Sequence, residues 1–217
     1  MERLASRIAN KIALELSYKD EQKQVIEYGL IALLQTLFMT AIVLLLGSLF
    51  NIVIESMILC FAISILRKYS GGAHAGSIAS CTIIGVVICV VFGMAMKYLG
   101  SLTISPVLLM FVIILVFVYA LIIALRKAPI DSPNKKIRSE QKRKKMKDST
   151  IILLLVYFLI SMVFLFYINR SSVFSSALLS LLLSVVWQIS SLTNPGKFVL
   201  EGLDRLVYRI ISFGRRT

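Results

Sequence analysis

From Ile104 to Leu125 the chain runs for 22 residues without a charged side chain. Roughly 18 or more such residues mark a helix able to cross the hydrocarbon core of a bilayer, about 30 Å thick. Only helices and closed barrels satisfy their own backbone polar groups there, so this run dictates a spanning helix. Comparable runs occur at about 27–50, 78–98, 151–168 and 174–192, with a shorter one at 52–66. Composition agrees, since 58% of residues are hydrophobic and 16% charged, with a mean hydropathy of +0.88. A soluble domain carries roughly 45–50% apolar and about 25% charged residues, and a core of this size cannot absorb the excess. The fold class is therefore all-α: a polytopic membrane protein of about six transmembrane helices, forming a single integral membrane domain over residues 1–217. The 52–66 run is the weakest span and can be tilted, thin the bilayer or be re-entrant.

Both ends are amphipathic. In residues 1–24, Leu4, Ile8, Ile12 and Leu16 recur on one face beside Arg3, Arg7 and Lys11. In residues 196–216, Phe198, Leu203, Leu206 and Ile210 stand against Arg205, Arg209, Arg215 and Arg216. Such patterns suit helices lying in the membrane interface. The mixed-charge opening carries no cleavable signal peptide.

The net charge of +13 raises nucleic acid as a partner. Its distribution argues instead for topology, because residues 126–147 form a basic loop with ten Lys or Arg against two acids. The positive-inside rule puts that loop in the cytoplasm. Counting spans outward then puts both termini and the 67–77 segment in the cytoplasm too. The opposite loops, around Asn51, Gly100 and Arg170, carry few cations. No nucleic-acid partner is expected, and the lipid bilayer is the partner that composition demands.

Three cysteines, Cys60, Cys81 and Cys89, lie in or beside apolar runs. Their odd number and irregular spacing fit neither a disulfide framework nor a zinc site, and no cofactor is called for. The unusual segment is 67–77, which holds three of the eleven glycines and the sole histidine, His74. On one continuous helix His74 and Cys81 would stand about 10 Å apart along the axis, too far for a base to touch its nucleophile. The pair works if His74 sits in a glycine-rich loop that folds back over the start of the next helix. Gly71, Gly72 and Gly76 permit tight or left-handed turns. Ser77 is a candidate N-cap that would make Cys81 the fourth helical residue. A helix N-terminus and an imidazolium both favour a thiolate, and exposed first-turn amides can serve an oxyanion. Buried cysteines are more often small hydrophobes, which is the reading for Cys60 and Cys89. The residues alone identify no third member to orient the histidine.

Residues 66–81, reading L-R-K-Y-S-G-G-A-H-A-G-S-x-x-x-C, closely resemble the signature of the AgrB family of membrane endopeptidases in Gram-positive quorum sensing. A-P-I-D-S-P-N-K at 128–135 is a second, supporting match. The resemblance implies a homodimer that processes an AgrD-like signalling propeptide with an amphipathic leader and an acidic C-terminal tail. Cys81 would be the nucleophile, His74 its general base, and Arg67, Gly71, Gly72 and Ser77 the residues that shape the site. Lys135 and Lys136, at the head of the basic loop, would face the substrate. Attack by Cys81 releases the tail and leaves an acyl-thioester; a peptide Cys or Ser then takes the acyl group, closing a thiolactone or lactone ring without ATP.

Two other functions compete. A six-helix transporter or export component for a peptide would carry polar residues along a substrate path, and the spans offer only Gln35, Glu55, Gln188 and scattered Ser and Thr. A scaffold without catalysis would leave the Gly-rich histidine segment without a purpose.

Overall fold

The computed structural model describes residues 2–16, 18, 20–72, 76–130 and 139–213. They form eight α-helices: α1 (Glu2–Glu15), α2 (Asp20–Leu49), α3 (Val53–Ser70), α4 (Ile78–Gly100), α5 (Pro106–Lys127), α6 (Glu140–Phe166), α7 (Ser172–Ser190) and α8 (Asn194–Phe213). Five of them, α2, α4, α5, α6 and α7, are long and apolar enough to cross a membrane. The protein is an all-α, multi-pass membrane protein.

The chain divides into two compact units, residues 1–42 and 43–217. The first holds α1 and most of α2. The amphipathic stretch expected over 1–24 is not one helix: α1 stops at Glu15 and Asp20 already belongs to α2. The first span therefore begins earlier than residue 27, because α2 already starts at Asp20, where an acid suits the helix dipole. Leu4 and Ile8 of α1 are exposed, as an interfacial helix requires.

The second unit is built around α7, which packs against α3, α4, α5, α6 and α8. Its Ser176, Ser180 and Ser184 recur every fourth residue and are all buried. Ser180 and Ser184 each donate at 2.7 Å to the carbonyl four residues back, on Ser176 and Ser180. Small side chains that satisfy themselves on their own helix let neighbouring helices approach closely in lipid, where no hydrophobic effect drives association. The apolar part of α7 joins Leu66, Ile113, Leu154, Leu181 and Val185 in one core cluster. Phe117 of α5 meets Phe158 of α6 edge-on, with ring centroids 5.4 Å apart.

The weakest expected span is a full helix. α3 has 18 residues, continues through Arg67 and Lys68 to Ser70, and packs against α4, α6 and α7. Its charges keep it outside the five apolar candidates, yet it is well buried because neighbouring helices cover it. Glu55, in its first turn, accepts a hydrogen bond at 2.6 Å from the buried Ser176 hydroxyl. This contact gives the intramembrane carboxylate a structural partner. The basic loop is also shorter than expected, because residues 140–147 form the first turns of α6. Ser139 caps that helix, accepting from the Lys142 amide. Lys and Arg are good helix formers, so a lysine-rich run after a cap extends the span instead of looping.

Close packing at the far end of α4 is testable. A Cβ on Gly100 would lie 2.5 Å from the Ser176 amide nitrogen and 2.6 Å from its Cα, whereas one on Gly202 would meet nothing within 4 Å. Gly100→Ala is expected to destabilise the protein by about 1–3 kcal/mol as overpacked backbone shifts. Gly202→Ala is expected to be neutral or to gain about 0.5–1 kcal/mol of helix propensity. Detergent unfolding midpoints of the two variants check this, and equal midpoints would refute the close contact.

Candidate active site

The α4 start is built by a local cap. Ser77 has extended backbone and accepts from the Ser80 amide at 3.0 Å, while Cys81 donates the first intrahelical bond, to the Ser77 carbonyl, at 3.0 Å. Cys81 is thus the fourth residue of α4. The Ser77 and Ser80 hydroxyls also bond to each other at 2.9 Å. With Ser80 capped, the amides of Ile78 and Ala79 remain outside the intrahelical ladder and point toward the helix entrance.

The three thiols differ. Cys60 of α3 is 2% exposed and Cys89 of α4 1%. Cys81 is partly exposed and free. Arg67 stands in the last turn of α3, beyond the apolar run, and not in the loop expected from sequence. Arg67 interacts electrostatically with Cys81. A cation is therefore within electrostatic reach of the sulfur.

The chain leaves α3 through two glycines that a side chain would not fit. Gly71 has φ +68° and a Cβ there would lie 2.1 Å from the Ile130 carbonyl oxygen. Gly71 pairs with Ile130 in a single parallel bridge, and the Ile130 amide donates to the Ser70 carbonyl at 3.0 Å. Gly72 has φ +132°, and its Cβ would lie 2.7 Å from Ser191 Oγ. Gln188 of α7, 0% exposed, holds this turn: its Nε2 donates to the Gly71 carbonyl at 2.8 Å and to Ser70 Oγ at 3.1 Å. Ile130 belongs to the 128–135 motif, so the two motif segments meet at this turn. On the downstream side, the Gly76 amide donates to Asp204 of α8 at 2.9 Å.

Structure thus brings Arg67, Gly71, Gly72, Ser77 and Cys81 to the adjoining ends of α3 and α4. His74 lies outside the described residues, as do Lys135 and Lys136. Gln188 and Asp204 were not among the residues that sequence pointed to as site-forming. Gln188 had a usable signal, an amide continuing the serine ridge of an apolar span. Asp204 had a fainter one, an acid set between Leu203 and Val207 on the apolar side of an amphipathic helix. A cavity of about 390 Å³ between the α4 start and α8 is lined by Gly76, Ser77, Ser80, Asp204, Arg205 and Tyr208, with Arg209 beside them. Among the described residues no cluster of His, Cys, Asp and Glu suits a metal ion.

Against known proteins, the family model described as Accessory gene regulator B matches residues 5–192. An AgrB-like protein of Clostridium perfringens strain SM101 is 37% identical over 213 residues, covering 97% of this chain and 100% of its own length. AgrB-like protein 2 of Clostridium perfringens strain 13 is similar to the same extent, 37% over 213 residues. No solved structure matches the chain.

Two outcomes follow from this geometry. In intact liposomes, iodoacetamide is expected to modify Cys81 and to spare Cys60 and Cys89, read by peptide mass spectrometry; equal labelling of all three would contradict the burial. Gln188→Leu removes the donor from a buried carbonyl and hydroxyl, and is expected to cost about 1–3 kcal/mol in detergent unfolding.

Proposed function

The chain belongs to the accessory gene regulator B family, and from that premise we propose that it is a membrane-embedded cysteine endopeptidase acting through Cys81 and His74. Membership carries a role in the accessory gene regulator quorum-sensing system, an AgrD-type propeptide partner and a membrane setting. The observation that carries the finer reading is the Ser77-capped start of α4, which presents a partly exposed Cys81 within reach of the Arg67 charge.

In this reading the Cys81 thiolate attacks the carbonyl carbon at the junction between the pheromone segment and the tail. The C–N bond breaks, the departing amine takes a proton from the His74 imidazolium, and an acyl-thioester remains on Cys81. A cysteine or serine of the peptide, losing its proton to His74, then attacks the thioester. The new ring bond forms as the bond to the Cys81 sulfur breaks, and the thiolate is restored. Thioester to thiolactone is a nearly even exchange, so the ring-closing step itself needs no other energy source. Uncapped first-turn amides and the Arg67 cation suit a developing oxyanion. A site walled by α3, α4, α7 and α8 favours transfer to the peptide over hydrolysis.

The remaining expectations belong to this proposal: both termini and the catalytic segment face the cytoplasm, the substrate tail is acidic, Lys135 and Lys136 contact it, and the protein works as a homodimer. The transporter reading gains no support from the buried polar residues. Glu55 is bonded to Ser176 and Gln188 to the Gly71 turn, so both have structural duties.

Liposomes holding wild type, Cys81→Ala, Cys81→Ser or His74→Ala, supplied with the AgrD-type precursor, test the reading by mass spectrometry. Wild type is expected to release the tail and to carry a peptide adduct on Cys81. Cys81→Ala and His74→Ala are expected to lose activity by a factor of about 10³ or more, as when a nucleophile or its base is removed. Tail release by Cys81→Ala at the wild-type rate would end the proposal.

A further inference from the structure

Asp204 lies in α8, beyond the residues matched by the family model. Helix α8 is amphipathic, and its placement on the bundle comes from apolar packing. Leu200, Leu203 and Val207 pack with Ile84 and Ile88 of α4, and Trp187 and Phe92 join the same cluster. Phe92 and Trp187 meet edge-on with centroids 5.5 Å apart. The packing of Leu200, Leu203 and Val207 on Ile84 and Ile88 seats α8 along the first half of α4. Asp204 comes one residue after Leu203 and three before Val207, so the same seat presents its carboxylate to the α4 entrance. There Oδ2 accepts the Gly76 N–H at 2.9 Å, across 128 residues of sequence. The fit is close, since a Cβ on Gly76 would lie 3.1 Å from that oxygen.

Gly76 occupies a sensitive position. It precedes the Ser77 cap that sets the register of Cys81, and it follows His74 by two residues. On the other side, Gly71 and Gly72 are fixed by Gln188, Ile130 and Ser191. Asp204 therefore holds Gly76 from α8 as Gln188 holds Gly71 from α7.

We propose that Asp204 is a positioning residue for the Cys81–His74 chemistry, holding the Gly76–Ser77 junction in place through its hydrogen bond to the Gly76 amide. The inference rests on the endopeptidase reading. A carboxylate is well suited to the task, because charge-assisted bonds to backbone amides are stronger than neutral ones. Gly76 and Asp204 line the same cavity as Ser80, Arg205 and Tyr208.

The test uses the full chain in liposomes as wild type, Asp204→Ala, Asp204→Asn, Gly76→Ala and the Gly76→Ala/Asp204→Ala double variant, each normalised to inserted protein. Tail release gives kcat and KM, and iodoacetamide labelling of Cys81 without peptide gives a second readout. Asp204→Ala is expected to lower kcat about 10- to 100-fold with KM nearly unchanged, the range expected when reacting groups are misplaced by about 1 Å. It is also expected to change the Cys81 labelling rate. Asp204→Asn keeps an acceptor oxygen and is expected to recover most of both. Gly76→Ala crowds the same oxygen, so the double variant should lose less than the product of the two single losses. Wild-type kcat and labelling in Asp204→Ala would overturn the inference. So would Asp204→Asn as impaired as Asp204→Ala, or single losses that multiply in the double variant. Failure of the endopeptidase reading itself looks different: wild type releases no tail, whatever residue stands at 204.

Discussion

The structure depends on how the backbone is satisfied where the chain turns from α3 toward α4. A turn at the end of a lipid-embedded helix exposes carbonyls that cannot be left without donors, and each orphan would cost several kcal/mol. Gln188 answers this for Gly71, donating to its carbonyl and to the Ser70 hydroxyl from within α7, while the Ile130 amide serves the Ser70 carbonyl. That single side chain requires α7 to pass close to the end of α3. The approach is helped by Ser176, Ser180 and Ser184, small and buried on successive turns of α7 below it. The central position of α7, touching every other helix from α3 to α8, follows from the same spacing.

From that turn the site is assembled by pieces far apart in sequence. Gly71 is pinned by Ile130 from the segment after α5, Gly72 fits against Ser191 at the end of α7, and Gly76 is tied to α8. Cys81 itself is placed by a purely local device, the Ser77 cap. The sulfur thus rides on a helix, while the described residues Gly72 and Gly76 are held by partners distant in sequence. The thioester chemistry proposed above would benefit from this placement, because in that reading the nucleophile returns to one position after each transfer.

What sequence revealed follows the range of the forces involved. Spans were legible because hydrophobicity integrates over twenty residues and needs no partner. The Ser77 cap was legible because capping is decided within four residues. Helix ends were less so. Arg67 and Lys68 read as a flank after an apolar run, yet they continue α3, since other helices cover the turn they occupy. Residues 140–147 read as loop on charge alone, although lysine-rich sequence with a serine cap is helix-compatible. The break after Glu15 had no strong punctuation to announce it. Gln188 and Asp204 could not have been paired with their partners, because the bonds they make span 117 and 128 residues.

The cations have a structural duty as well as a topological one. Arg67 and Lys68 stand in the last turn of α3, and Arg126 and Lys127 in the last turn of α5, where positive charge complements the helix dipole. Lys147, two turns into α6, donates to the Leu125 carbonyl at 2.7 Å, supplying one of the donors that the end of α5 lacks. Arg143 reaches the Pro129 carbonyl at 3.4 Å, beside the residue that bridges to Gly71. These cations therefore close the open ends of the helices they stand on or reach. Those ends frame the turn that leads to His74, which ties topology and the site to the same set of side chains. A substitution among these lysines and arginines acts on helix termini next to the site before it acts on any long-range field, because that field is screened beyond about 8 Å at physiological salt.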